Sequence, residues 1–173
     1  MDTFSAAASV PASAPTAAHG DGRRYEHQVA LVTGGGTGIG LAIAHQLASE
    51  GARIALCGRR AAVVNGAAQE LEAHGYVAMA IPGNVAVDAA RIVDTVIQQF
   101  GRLDVLVNNA AVAAGLDIEE MTATAWRQVL AVNVDGAFEL VLHALPHLAA
   151  HHGSVLHISS ISAVSGEFDD VAY

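Results

Sequence analysis

The segment Thr33-Gly34-Gly35-Gly36-Thr37-Gly38-Ile39-Gly40 constrains this 173-residue chain more than any other. It follows a short apolar run, Val29-Ala30-Leu31-Val32, and opens a helical pattern. A sharp strand-to-helix turn needs glycine wherever a Cβ would clash. A bound pyrophosphate needs bare backbone N–H groups at a helix N-terminus. The spacing Gly34-x-x-x-Gly38-x-Gly40 answers both needs, although the G-x-G-x-x-G fingerprint cannot be threaded through it. A glycine-rich turn alone is also compatible with a plain tight turn. Its position, directly after the first strand of an alternating pattern, is what favours phosphate binding.

That pattern runs from His27 onward. Strands are expected at Gln28–Thr33, Arg53–Cys57, Tyr76–Ile81, Leu103–Asn108 and Ser154–Ser159. Helices are expected near Gly38–Glu50, Ala61–His74, Asp88–Phe100 and Thr124–His151. The strands are continuously apolar rather than alternating, as when both sheet faces are covered. Gly51, Gly75, Gly101 and Gly153 each fall just past a helix end, where a left-handed residue turns the chain back. The expected fold is α/β, a doubly wound parallel sheet with right-handed crossovers.

Composition narrows the classes. The length suits one domain, and 53% apolar residues supply its core. Charged residues are only 14%, in keeping with many buried segments. The formal net charge is −9, and basic residues are scattered singly or as Arg23-Arg24 and Arg59-Arg60. No concentrated basic face for nucleic acid results. Cys57 is the single cysteine, so no disulfide framework exists and a reducing, cytoplasmic compartment is expected. No apolar run approaches the ~20 residues that span a bilayer, so no membrane partner is expected. Met1–Arg24 is rich in Ala, Ser, Pro and Thr, and reads as a disordered extension ahead of a domain at 25–173. It lacks the basic start and apolar stretch of a secretory signal, while its Ser/Ala richness also fits a transit peptide.

Taken with later motifs, the glycine segment resembles the opening of the short-chain dehydrogenase/reductase family, in its single-domain branch. The resemblance continues through Leu103-Asp-Val-Leu-Val-Asn-Asn-Ala-Ala111, Trp126, Val132-Asn133-Val134-Asp135-Gly136 and Ile158-Ser159-Ser160. It covers nearly everything after Arg24. It implies a Rossmann fold holding a nicotinamide dinucleotide. Implied at the cofactor are Thr33, Gly34, Gly36, Thr37, Gly38, Ile39 and Gly40 in the turn, with Gly58 and Arg59 after the second strand. Asn84 and Val85 follow the third strand, and Asn109, Ala110 and Ala111 the fourth. Two positions depart from the family pattern. Ala111 replaces the usual glycine, and Asn84 replaces the Asp that commonly faces the adenine, although an amide still accepts or donates there.

The second strand ends Leu56-Cys57-Gly58-Arg59-Arg60. A site specific for NAD places a carboxylate at this point to accept from the ribose 2′-OH, and that charge repels a 2′-phosphate. Gly58 offers space without charge, and Arg59 brings a fork of donors suited to phosphate. In similar enzymes this arrangement goes with NADP(H), which is the expected cofactor, with NAD(H) the alternative. Thr37 in place of a second basic residue in the turn leaves the preference incomplete.

The resemblance also implies a reaction, the interconversion of a small-molecule alcohol with a ketone or aldehyde. Hydride transfer leaves an oxygen needing a proton, so the site requires an acid/base and a hydrogen-bond donor. By resemblance Tyr173 is the acid/base, Ser160 orients the carbonyl, and Asn133 holds a water of the proton relay. The family places its serine thirteen residues before the tyrosine, which selects Ser160 over Ser159 and Ser162. The family pattern then has a lysine four residues beyond the tyrosine, at position 177. A free tyrosine has a pKa of about 10 and needs that cation to work near neutrality. The 173-residue chain is therefore expected to be a C-terminally truncated piece, inactive alone, with the fifth strand an uncovered apolar edge. The competing reading is a non-catalytic dinucleotide-binding or interaction module, or a pseudogene product.

His143, His147 and His151 recur at i, i+4 and i+8, and His152 follows. No carboxylate or cysteine is expected beside them, and Pro146 is expected to interrupt the helix ladder between the first two. A solvated or subunit-facing stripe is the reading, not a metal site. The helix that carries these residues forms the subunit contact in many similar enzymes, which implies a homo-oligomer for the complete protein.

Overall fold

The computed structural model describes residues 23–163 and 172–173. The expectation of a disordered extension falls, apart from Arg23 and Arg24, outside the described residues. Strands β1 (Val29–Thr33), β2 (Arg53–Gly58), β3 (Ala78–Pro82), β4 (Val105–Asn108) and β5 (Ser154–His157) form one sheet in the order β3-β2-β1-β4-β5. Every neighbouring pair is parallel. Strand order reverses at β1, which pairs with β2 on one side and β4 on the other. That reversal opens a crevice at the strand C-termini.

Helices α1 (Gly38–Ser49) and α2 (Ala61–Ala73) cover one face of the sheet, while α3 (Val85–Phe100) and α5 (Gly136–Ala150) cover the other. Successive strand side chains point to opposite faces, so both faces need apolar residues. Val29 and Leu31 join Ile92, Val96 and Leu140 in one cluster. Ala30 and Val32 join Ala44, Leu47 and Leu71 in the other. All five residues of β1 are buried, which is why the strand reads as an uninterrupted apolar run. Strand β5 lies at the edge, with Val155 and Leu156 37% and 47% exposed.

Several local expectations are corrected. Helix α3 begins at Val85, three residues before the expected Asp88, because Asn84 caps it. The Asn84 side-chain oxygen accepts from the Ala86 N–H at 3.2 Å, and Asp88 Oδ2 accepts from the Asn84 N–H at 2.8 Å. The long C-terminal helix comprises α4 (Ala123–Leu130), a π-helical segment (Ala131–Asp135) and α5. Pro146 lies inside α5 without ending it. The bond it cannot donate would have gone to Leu142, on the half-exposed side of the helix. The composite helix Ala123–Ala150 is also long and apolar enough, by length and composition, to cross a membrane. Scanning for unbroken apolar runs misses it because Arg127, Asn133, Asp135 and Glu139 are spread along it. Its buried residues Gly136, Leu140, Ala144 and Leu148 pack into the protein core.

The residue that turns the chain after α5 is His152, at φ 52°, whereas Gly153 has another task. A Cβ on Gly153 would lie 2.4 Å from the Asp104 carbonyl oxygen. The histidine stripe does have a carboxylate beside it, since Glu139 Oε2 is 3.7 Å from His143 Nε2. Arg24, expected in the extension, pairs with Glu50 at the end of α1, and the Tyr25 N–H donates to the Glu50 carbonyl at 2.9 Å.

Candidate functional site

The glycine turn is tied to the end of β4 by one hydroxyl. Thr33 Oγ1 donates to the Val107 carbonyl at 3.2 Å and accepts from the Asn109 and Ala110 N–H groups at 3.0 and 3.1 Å. Asn109 answers with its own amide, which donates to the Thr33 and Gly34 carbonyls at 3.0 and 3.3 Å. Two glycines make room for this knot. Gly34 takes φ 62°, and a Cβ on Gly40 would lie 2.5 Å from both Gly34 O and Asn109 Nδ2. The first turn of α1 can therefore rest directly on the strand end, and its N-cap residue Thr37 lines the crevice.

A cavity of about 470 Å³ fills this crevice. Ten of the residues expected at the cofactor line it: Gly34, Gly36 and Thr37; Gly58 and Arg59; Asn84 and Val85; and Asn109, Ala110 and Ala111. Thr33, Gly38, Ile39 and Gly40 do not line it; Thr33 and Gly40 shape the turn from behind, and Ile39 is 64% exposed. Arg60, Gly83, Val112 and Val132 also line it, beyond the sequence expectation. Of these, Arg60 and Gly83 could have been found as the immediate neighbours of Arg59 and Asn84. Val112 and Val132 likewise adjoin the expected residues Ala111 and Asn133. No carboxylate lines the cavity among the described residues. The size, the exposed helix N-terminus and the absence of acidic groups fit an elongated, phosphate-bearing ligand.

A second cavity of about 280 Å³ contains Asn133, Ser160 and Tyr173, the three expected catalytic residues, with His157 beside them. It shares Val85, Ala110, Ala111 and Val132 with the larger one, so the two are contiguous across the β1/β4 crevice. Asn133 stands in the π-helical segment, and both polar ends of its side chain bond one residue. Asn133 Oδ1 accepts from the Val112 N–H and Nδ2 donates to the Val112 carbonyl, each at 2.9 Å. The Gly136 N–H donates to the Ala131 carbonyl, the i to i−5 hydrogen bond of a π-helical turn. Ser160 Oγ lies 3.0 Å from Ser162 Oγ and accepts the Ser162 N–H at 3.2 Å. Asn108, 6% exposed, donates through Nδ2 to the Ala137 carbonyl at 3.2 Å, and its Oδ1 is buried without a partner.

Charges near the cavities are held in fixed states. Cys57 lines the larger cavity but is fully buried, and burial pushes its thiol up to about 12, with Arg91 opposing and Asp88 adding to the shift. Asp88 lies below the usual carboxylate range, first because the Asn84 N–H donates to it and then because of Arg91.

Comparison with known proteins follows the same lines. The sequence model of the short chain dehydrogenase family matches residues 28–173. The L-fucose dehydrogenase of Bos taurus is 37% identical over 153 residues, covering 88% of this chain and 56% of that protein. The meso-2,3-butanediol dehydrogenase of Serratia marcescens is 30% identical over 150 residues, covering 87% of this chain and 60% of that protein. Among solved structures, an NAD+-bound xylitol dehydrogenase superposes with a TM-score of 0.82 at 30% identity, covering 87% of this chain and 59% of that one. The chain thus spans little more than half the length of these relatives.

Proposed function

Because this chain belongs to the short chain dehydrogenase family, we propose that the complete protein is an NADP(H)-dependent oxidoreductase that interconverts an alcohol with a ketone or aldehyde. The observation that carries this reading is the contiguity of the two cavities, one suited to a dinucleotide and the next containing Ser160 and Tyr173. When bound, the nicotinamide supplies or takes up hydride at the carbonyl carbon. The chain's own residues handle the oxygen. Tyr173 gives or takes its proton, and Ser160 directs a hydrogen bond at it in exchange for the Ser162 contact. Asn133 contributes a main-chain carbonyl for a relay water, since both polar ends of its amide are already engaged with Val112.

For the cofactor, the α1 N-terminus would hold the pyrophosphate, and Gly58, Arg59 and Arg60 the 2′-phosphate. The absence of a lining carboxylate among the described residues supports NADP(H). The complete protein is further proposed to be a homo-oligomer. Val134, Phe138, Leu142 and Leu145 form an exposed apolar stripe on the long helix, on the side away from its buried residues.

The test uses the full-length protein with a generic ketone and NADPH. Tyr173→Phe is expected to lower turnover by about 10²–10⁴-fold, the usual contribution of a general acid, with dinucleotide affinity nearly unchanged. An unchanged rate would remove Tyr173 from the mechanism.

A further inference from the structure

Resting on the oxidoreductase reading above, we propose that Ser162 is a positioning residue for the reaction, holding Ser160 as a pure hydrogen-bond donor to the substrate oxygen. Its place follows from the turn after β5. The chain leaves the strand at His157 and enters a short 3₁₀ helix, Ile161–Ala163, immediately after Ser160. Ser162 is thereby folded back over Ser160, as serine hydroxyls commonly attract the N–H two residues on. Its N–H donates to Ser160 Oγ at 3.2 Å, and the two hydroxyl oxygens are 3.0 Å apart. Both residues are half-buried. Spacing sets Ser162 aside as the reacting serine, and its hydroxyl instead works one step behind it.

A serine hydroxyl carries one proton and two acceptor sites. The Ser162 N–H fills one acceptor site of Ser160. The contact between the hydroxyls then has two senses. With Ser160 donating, its proton is spent on Ser162. With Ser162 donating, both acceptor sites of Ser160 are filled, and its proton is free for the cavity that contains Asn133 and Tyr173. A carbonyl oxygen can only accept, so a ketone selects the second sense. The pair reverses direction by turning two hydroxyl protons, and no heavy atom has to move. As hydride arrives, charge builds on the substrate oxygen. A donor that itself receives two hydrogen bonds is polarised by them and answers that charge more strongly. In the oxidation direction, Ser160 has no acceptor site left for the proton of an alcohol. That proton must face Tyr173, the group that removes it.

Full-length protein, NADPH and a generic ketone provide the test. Ser162→Ala removes the hydroxyl and keeps the main-chain N–H. It is expected to lower kcat about tenfold, the worth of one hydrogen bond strengthened in the transition state. KM and the calorimetric dissociation constant of NADPH are expected to stay within about twofold of wild type. Ser162→Thr restores the hydroxyl and is expected to recover most of the rate. In a Ser160→Ala background, followed by single turnover at excess enzyme, Ser162→Ala is expected to cost nothing further, because its partner is gone. An unchanged kcat in Ser162→Ala overturns the inference. So does a loss that persists in the absence of the Ser160 hydroxyl, or one that Ser162→Thr fails to recover, since either marks a packing defect. If Ser160→Ala itself turns over at the wild-type rate, the role of Ser160 falls and takes this inference with it, a result distinguishable from the other three.

Discussion

Thr33 and Asn109, 76 residues apart, are joined by two hydrogen bonds of 3.0 Å, the Asn109 N–H donating to the Thr33 hydroxyl and the Asn109 amide to the Thr33 carbonyl. The contact fixes the glycine turn against the β4 end, so the larger cavity inherits its shape from a buried hydroxyl that does not line it.

Replacing that hydroxyl separates its bonding from its bulk. Thr33→Val leaves the Asn109 and Ala110 N–H groups without their acceptor and is expected to cost about 2–4 kcal/mol. Thr33→Ser keeps the bonds, loses one methyl and is expected to cost about 1 kcal/mol. Urea unfolding of the full-length protein distinguishes them. Equal losses would mean that packing, not hydrogen bonding, holds the turn.

Acid stability centres on Asp104, which is 4% exposed. Burial alone would raise its pKa, but Arg102, the Val29 N–H and the nearby His151 together bring it below the usual carboxylate range. Arg102 binds it through two nitrogens at 2.8 and 2.6 Å, and the Val29 N–H donates at 2.9 Å. A depressed folded pKa gives stability that is complete above the unfolded value of about 4 and is lost as pH falls through the folded one. Asp104→Asn is therefore expected to cost about 2 kcal/mol at pH 7, with the gap to wild type closing below pH 4. Denaturant midpoints at pH 7, 5 and 3 check this, and a constant gap would contradict it.

The end of α5 offers a stabilising change beside a damaging one. His152 is a non-glycine residue at φ 52°, so His152→Gly is expected to gain about 1 kcal/mol. Gly153→Ala is expected to destabilise strongly, because its Cβ meets Asp104 O at 2.4 Å and backbone must move. Melting temperatures shifting up for the first and down for the second support both arguments. A neutral Gly153→Ala would refute the second.

Strands β1, β2 and β4 were legible because burial on both sheet faces leaves no polar alternation to confuse, and the glycine turn was legible because its spacing is a steric requirement. The start of α3 was not, since viewing Asn84 only as a contact for the base hides its work as a helix cap. The π-helical segment around Asn133 leaves no mark on apolar periodicity, and the commitment of that side chain to Val112 joins residues far apart in sequence. The same holds for Thr33, expected at the cofactor from its place in the motif but engaged behind it. Spacing identifies which residues gather at the site; partners reached across the fold decide which of their atoms are free.

Cys57 borders the larger cavity yet is fully buried, with its thiol pushed up to about 12. Thiolate is the reactive form, so native protein at pH 8 is expected to show negligible labelling by a disulfide reagent within an hour. Unfolded protein is expected to label rapidly. Fast labelling of the native state, blocked by NADP+, would instead mean that the end of β2 opens on its own.

Cofactor choice turns on Gly58. A Cβ built there meets only Val64, at 3.6 and 3.9 Å, which is ordinary contact, so a side chain can be added without moving the backbone. Gly58→Asp therefore installs a carboxylate at the end of β2 while leaving the turn and Arg59 in place. That charge would accept from a ribose 2′-OH and repel a 2′-phosphate. Wild-type protein is expected to bind NADP(H) more tightly than NAD(H), and Gly58→Asp to reverse the order by weakening NADP(H) at least tenfold, about 1.4 kcal/mol. Arg59→Ala should weaken NADP(H) and leave NAD(H) nearly unchanged, since its guanidinium is proposed to act on the phosphate alone. Titration of both cofactors against the three proteins decides the matter. Tighter NAD(H) binding by the wild type would reject the NADP(H) assignment outright, and equal losses of both cofactors in Arg59→Ala would show that Arg59 acts on the shared part of the dinucleotide.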